Sequence, residues 1–325
     1  MAVILNAFKT LALAGALLAC CGDAGAQAFP VKGRTITLIV PYAPGGVTDT
    51  GARLMAAGLE RELGTTVVVM NKAGAASQVG LTELLKAAPD GYTLSYVVLP
   101  TVVTHYLVPG RDVSYNAASF QPIAMHHYVP QVLAVRSDGP YKTLNDLVEA
   151  ARRKPESISI SDSGLMGVPH TQVLMLEKAA GVKFVSVHYT GGAPSITALM
   201  GGHVDALAGA TADALPNKTT GAFRVLAIAA DQPDKSMPEV PTMKSLGYDV
   251  VAASWTGIVA PAGTPENVVE TLTRAVRKVI DTPDHQAKLE QLALQPRYLD
   301  PAAYRQLWAD TEARMKPILQ NIQPK

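Results

Sequence analysis

Thr35-Ile36-Thr37-Leu38-Ile39-Val40-Pro41-Tyr42-Ala43-Pro44-Gly45-Gly46-Val47-Thr48-Asp49 is the stretch on which the fold turns. Its first six residues form an apolar, β-branched run of strand length. A glycine-bearing loop follows. Ala52, Met55, Ala56, Leu59 and Leu63 then recur at helical spacing. Asp49 or Thr48 can cap that helix, because either side chain can accept a bond from a free N–H of the first turn. The stretch therefore reads as strand, tight loop, helix start. Such a junction aims backbone N–H groups and the positive end of a helix dipole at one point, which suits an anion. A plain strand-to-helix turn uses the same residues, and spacing alone does not separate the two.

Working outward, the pattern repeats. Thr65 to Met70 and Thr93 to Leu99 read as buried strands, with a small-residue loop at 71–80 and a helix through Leu81, Leu84, Leu85 and Ala88 between them. After a change near Gln121-Pro122, strands are expected at 131–135, 157–161, 183–189, 204–208 and 223–230. A helix capped by Thr143 is expected up to Arg153. Asp162-Ser163-Gly164-Leu165-Met166-Gly167-Val168-Pro169-His170 restates the opening motif, and Thr190-Gly191-Gly192-Ala193-Pro194 does so again. A strand at 254–261 and three helices from Pro265, Pro283 and Pro301 close the chain. Alternating strands and helices with short connections imply helix-covered, mostly parallel sheets. Glycine loops at the carboxyl ends of strands in both halves point to a cleft between two lobes.

The bulk numbers agree. A chain of 325 residues, 48% apolar and 17% charged, has room for about two packed domains. Its net charge of +1 gives no reason to expect nucleic acid as a partner. Residues 1–28 read as a secretory signal peptide: Lys9, an apolar core too short to span a bilayer, and Ala26-Gln27-Ala28 before Phe29. Leu17-Leu18-Ala19-Cys20 offers a lipoprotein-type alternative in which Cys20 carries lipid, but Leu18 fits that box poorly. Both cysteines lie in the leader, so the mature chain has no disulfide, thiolate nucleophile or cysteine-ligated metal. There is no G-x-S-x-G, H-E-x-x-H, P-loop or G-x-G-x-x-G, which weakens an exported-hydrolase reading and gives no sign of a cofactor.

Three stretches, Tyr42 to Asp49, Asn71-Lys72-Ala73-Gly74-Ala75 and Ala88-Pro89-Asp90-Gly91-Tyr92-Thr93-Leu94, resemble the substrate-binding proteins of tripartite tricarboxylate transporters, also called Bug receptors. Tyr189 to Pro194, Gly201-Gly202-His203-Val204-Asp205 and Trp255 to Pro261 continue the resemblance, in order, over about residues 30 to 320. It implies a two-lobed, type II-like periplasmic binding protein that closes on a small organic acid and delivers it to a membrane permease. It also implies periplasmic localisation, a monomer, no catalysis, no cofactor and no metal. A sensor that presents the bound acid to a signalling partner is the alternative. The lobes would be residues 29–124 with 254–325, and residues 125–253, with crossings near Ala124 and Ala253.

Carried onto this chain, the resemblance gives ligand binding to Tyr42 and the loop of Gly45, Gly46, Val47, Thr48 and Asp49. The second-lobe loop places Ser163, Leu165, Met166 and His170 in the same role, and the third places Tyr189, Gly191, Gly192 and Ala193. Ser77 and Ser163 are hydroxyl donors in this reading, and Thr101 lies after the third strand. Asp205 lies near a strand end and is more readily structural. Asp49 doubles as a cap. His126 and His127 are adjacent and point to opposite faces of a strand, which is the wrong spacing for a metal pair. Where the family has a further glycine this chain has Ala76-Ser77. Leu165-Met166-Gly167-Val168 is bulkier and more apolar than usual, which favours an extended or aromatic acid over citrate.

Overall fold

The computed structural model describes residues 29–189 and 191–319; the leader expected at 1–28, with Cys20, lies outside them. Ten strands form one mixed, two-lobed sheet. In the first lobe β1 (Ile36–Val40), β2 (Val67–Asn71) and β3 (Thr93–Leu99) are parallel, with Leu38 opposite both Val69 and Leu94. Two strands then run antiparallel in succession: β9 (Ala253–Pro261) on β3, and the first part of β4 (Phe120–Arg136) on β9. β10 (Gln295–Leu299) pairs with β4 as well. β1 is apolar on both faces because helices cover both.

One face is covered by α1 (Val47–Leu63) and α8 (Glu266–Ile280), which bury Met55, Leu59, Leu272 and Val276 against Ile36 and Leu38. Each fully buried side chain of this kind contributes about 1.5–3 kcal/mol. The two helices cross closely at Gly58, where a Cβ would stand 2.4 Å from a methyl of Val279. The other face carries α2 (Gln78–Leu84), α3 (Thr101–Leu107) and α10 (Pro301–Leu319), whose Trp308 stacks on Phe120 at 5.6 Å. The helix α9 (Pro283–Gln291) packs beside β10.

The second lobe contains β5 (Ser159–Asp162), β6 (Val185–His188), β7 (Ala206–Ala210) and β8 (Phe223–Ala229). Its helices are α4 (Leu144–Arg153), α5 (Val168–Ala180), α6 (Gly192–Met200) and α7 (Thr211–Thr219). Thr143 caps α4: its hydroxyl accepts the Asp146 N–H at 3.1 Å, and the Asp146 carboxylate accepts the Thr143 N–H at 2.9 Å. β4 joins the lobes. It pairs with β9 as far as Pro130 opposite Ala253, then from Gln131 with β7 and β8. The change of partner therefore lies beyond Ala124, where the sequence suggested a crossing. Pro122 is tolerated in so long a strand because the register slips between Pro122 and Ala124, and Pro130 because it stands where β4 changes partners.

Candidate functional site between the lobes

β1 ends on the loop that opens α1. Gly45 sits at φ +83°, a left-handed conformation that favours glycine, and Gly46 is the residue before the helix, with no side-chain cap. Asp49 does not cap the helix, contrary to the expectation. One of its oxygens accepts the Gly45 N–H at 2.9 Å and the Arg53 Nε–H at 3.0 Å. The other accepts from Arg53 Nη2 at 3.0 Å and Asn71 Nδ2 at 2.8 Å. Burial alone would raise this carboxyl, but the bonds from Arg53, Gly45 and Asn71 outweigh it and hold the group below the usual carboxylate range. The negative charge is thus turned onto the loop's back, Arg53 and Asn71. The N–H groups of Val47, Thr48 and Asp49, which no helix can satisfy internally, stand in the first turn of α1 behind the exposed residues 43–47.

The wall beside it is built from strained backbone. Gly74, Ala75, Ala76 and Ser77 have φ of 143°, 46°, 53° and 87°. Three consecutive non-glycine residues in the left-handed region cost about 1–2 kcal/mol each. Two carbonyls are pinned in compensation: Arg111 donates to Ala75 O at 3.0 Å, and His105 Nε2–H donates to Ala76 O at 2.9 Å. Because Nε2 carries the hydrogen, His105 Nδ1 accepts from the Tyr115 hydroxyl at 2.6 Å. Burial, with a smaller push from Arg111, lowers the His105 pKa to about 4. The clamp sets Ser77, whose hydroxyl meets Tyr42 together with Thr101; burial nevertheless pushes the Tyr42 phenol up to about 12. Tyr42, Ser77 and Thr101, three of the expected residues, therefore converge.

The second lobe presents the loops after β5 and β6. Met166, at φ 61°, is buried among first-lobe residues including Val103 and Trp308, and Thr104 reaches its carbonyl at 3.4 Å. This contact brings the two lobes together. Leu165 beside it is 52% exposed. The Met166 N–H donates to His170 Nδ1 at 3.1 Å. Burial, with His188 as a smaller cause, takes His170 down to about 4. Ser163 and Gly164 border this loop, half-buried. Tyr189, Gly191, Gly192 and Ala193 lie at the start of α6, whose N-terminus has no side-chain cap. Gly191, at φ 152°, takes a backbone shape that side chains rarely adopt.

Asp205 is elsewhere. It precedes β7 at the amino end of the sheet, where its carboxylate accepts the Ser159 N–H at 2.8 Å and hydroxyl at 2.7 Å. The carboxylate tethers β5 to β7 and belongs to the edge opposite the loops.

Several groups went unassigned in the sequence reading. Asp162, fully buried at the end of β5, accepts from Gly164 N–H at 2.8 Å and from His188 Nδ1 at 2.8 Å. Burial raises its carboxyl, and His188 and Gly164 oppose that rise. His188 and His170 pack edge to face, 4.6 Å between centroids. Asp213, near the start of α7, faces Gly192, and burial raises its carboxyl too. Of the unassigned groups, Arg53 carried the clearest signal, four residues after Asp49 on one helix face. His188 carried the positional one, at the end of a predicted strand beside a glycine loop.

Two α/β lobes joined by crossing strands, with glycine loops and free helix starts facing across the gap, are the architecture of a two-lobed solute-binding protein. The model of the family described as "Tripartite tricarboxylate transporter family receptor" matches residues 51–323, and the chain belongs to that family. A UPF0065 protein in the gbd 5′ region of Cupriavidus necator is 32% identical over 306 residues, 92% of this chain and 90% of that one. BugT of Bordetella pertussis is 31% identical over 285 residues, 86% of each. MatC from Rhodopseudomonas palustris, solved with bound malate, superposes with a TM-score of 0.77 at 30% identity, covering 90% of this chain and all of that one. An R. palustris protein solved with adipate gives 0.79 at 26%, covering 90% and 98%. Family and fold are those of binding proteins, and the family's receptors are periplasmic. Among the described residues no helix is long and apolar enough to cross a membrane.

Proposed function

We propose that this chain is an exported, monomeric receptor that closes on a small organic carboxylate and presents it to a tripartite tricarboxylate-type permease. The observation that carries the reading is the start of α1. Both Asp49 oxygens accept bonds from Gly45, Arg53 and Asn71, so the helix start offers N–H groups that no side chain caps. The malate and adipate in the two R. palustris structures support a carboxylate as the ligand class. The division of lobes follows β4 and β9, at Pro130–Gln131 and at Ala253. A leader at residues 1–28 accounts for export. The exposed Leu165 and Val47 favour a ligand with an apolar body between its polar ends.

Two helix dipoles supply at most about 2 kcal/mol each. Micromolar affinity needs about 8 kcal/mol, so charge-assisted backbone bonds in the closed cleft carry the larger share. The test is thermal unfolding of the mature protein with mono-, di- and tricarboxylates, aliphatic and aromatic. A bound acid raises the midpoint by mass action. Gly46→Val is the matching variant. A Cβ at Gly46 meets nothing closer than 3.8 Å, so the fold tolerates it while the side chain enters the anion's space. The expected result is a folded variant without the ligand-induced shift. An unchanged shift refutes the first-loop site.

A further inference from the structure

The loop between β2 and α2 has no glycine where its backbone most needs one. Ala75, Ala76 and Ser77 follow one another at positive φ, of 46°, 53° and 87°, a conformation that side chains disfavour. Ser77 is nevertheless buried, and its hydroxyl meets the Tyr42 phenol. Such backbone persists only where its surroundings over-determine it. The chief support is one buried side chain on α3. The Ala76 carbonyl can only accept, so His105 Nε2 carries the hydrogen that reaches it at 2.9 Å. His105 Nδ1 is then an acceptor, and the Tyr115 hydroxyl donates to it at 2.6 Å. Tyr115 packs edge to face on Phe120, with 5.5 Å between centroids, which roots the pair in the apolar core. Arg111 adds a second donor, reaching Ala75 O at 3.0 Å.

We infer that His105 is a positioning residue of the binding site, holding Ala76 in its left-handed shape so that Ser77 anchors Tyr42 beside the loop that opens α1. This rests on the receptor reading above and deepens it. The path is short, and each step is a contact. Gly80, in the first turn of α2, lies so close to Pro41 that a Cβ would stand 2.7 Å from its ring. The start of α2 therefore cannot shift without moving the end of β1. Tyr42, next in the chain, is held at both ends: its phenol meets Ser77 and Thr101, and its carbonyl accepts from Asn71 Nδ2 at 3.1 Å. That same amide donates to Asp49 at 2.8 Å, and Asp49 accepts the Gly45 N–H. One hydrogen bond to the wall thus bears on the geometry of the α1 start. His105 acts through the backbone, and the need for it follows from alanine at position 76. Ala76→Gly takes the same φ without a clamp.

The experiment compares two amide variants of the mature chain. His105→Gln keeps a donor near the place of the imidazole Nε2; in His105→Asn the shorter amide cannot reach Ala76. Titration calorimetry uses malate and adipate as probes. His105→Gln binds within about threefold of the wild type, whereas His105→Asn binds about tenfold more weakly, the scale of one lost hydrogen bond. Ala76→Gly in the His105→Asn background recovers most of that loss, which it would not do for a packing defect around His105. Arg111→Met, at a half-buried position, shows a smaller loss in the same direction and replaces His105→Asn if that variant does not fold. Amide hydrogen exchange without any acid reads the relay directly. His105→Asn speeds exchange in residues 40–46 as well as in 72–81, and His105→Gln speeds it in neither. Wild-type affinity in His105→Asn, no recovery with Ala76→Gly, or faster exchange confined to 72–81 each overturns the assignment and leaves the receptor reading intact. A wild type that binds neither acid counts against the receptor reading for these acids, and the exchange result then decides the positioning role.

Discussion

Lowering the pH from 7.5 to 5 is predicted to remove most of the stability of this protein, through its histidines. Five of the seven, His105, His126, His127, His170 and His285, are buried. His126, His127 and His285 form one cluster: His126 Nε2 lies 2.7 Å from His285 Nε2, and its Nδ1 lies 3.0 Å from His127 Nδ1 and 2.8 Å from the Tyr96 hydroxyl. Burial is the main cause that lowers all five, against an opposing pull from Asp284 at His285: His127 to about 3, His105, His170 and His285 to about 4, and His126 well below its ordinary value. The folded state keeps these rings neutral while the unfolded chain protonates them near pH 6.5. The unfolded state therefore binds more protons as pH falls, and stability is lost from pH 6.5 downward until the folded values are reached. Each ring contributes about 1.4 kcal/mol per pH unit, or about 2 kcal/mol at pH 5. Five together approach about 10 kcal/mol, comparable with the whole stability of an ordinary domain. Asp162 and Asp213, raised by burial, work in the opposite sense and soften the limb; Asp49, held low, adds to the loss at still lower pH. Urea unfolding at pH 7.5, 6.5, 5.5 and 5.0 measures it. His285→Asn should remove about one proton from the slope. A stability that falls by less than about 2 kcal/mol between pH 6.5 and 5 would refute the reasoning, because even one buried neutral imidazole accounts for that much.

Ala76→Gly relieves one of three consecutive left-handed alanine and serine conformations. It should raise stability by about 0.5–1 kcal/mol in urea unfolding, the strain removed less the added chain entropy. Gly257→Ala places a Cβ about 2.6 Å from the buried Tyr304 ring and should cost about 1–3 kcal/mol in the same assay. Asp49→Ala removes the acceptor shared by Gly45, Arg53 and Asn71. It should lower stability by about 2–4 kcal/mol and abolish the carboxylate-induced thermal shift. A variant that keeps the full shift would show that the loop holds its shape without Asp49.

The lobes were legible because their signals are local. Thr35 to Val40 and Thr93 to Leu99 are apolar runs bounded by turn residues, and Thr143 with Asp146 spells a capping box. Elements that rely on tertiary support were not. β10 carries Pro296 and Arg297, and it is a strand only because β4 offers an unpaired stretch. Two short helices hid for related reasons: α3 opens on Thr101-Val102-Val103, where β-branched residues suppress helix propensity, and α7 contains Pro216. At the site, the glycines and the helix starts were readable as a pattern, but the direction of a side chain was not. Asp49 was expected to cap and instead accepts from the loop behind it. Asp205, identical in type and also beside a strand, stands at the opposite edge of the sheet.

That reversal of Asp49 shows how an acid can stand in the first turn of a helix proposed to bind an anion. A carboxylate capping α1 would occupy the N–H groups a ligand needs, and its charge would repel the ligand as well. Turned inward, the same carboxylate fixes Gly45, binds Arg53 and Asn71 and leaves the first-turn donors free. The second lobe repeats the device with different chemistry. Asp162 is buried behind its loop and accepts from the Gly164 N–H and from His188 Nδ1. In both lobes an aspartate at the root of a glycine loop fixes that loop by accepting one of its backbone N–H groups. In the proposed receptor the donors of both lobes meet one ligand only when the lobes close, so a ligand's differential affinity for the closed form would drive closure. Thr104 meets Met166 across the two lobes, so a change in the lobes' separation must break or make this contact.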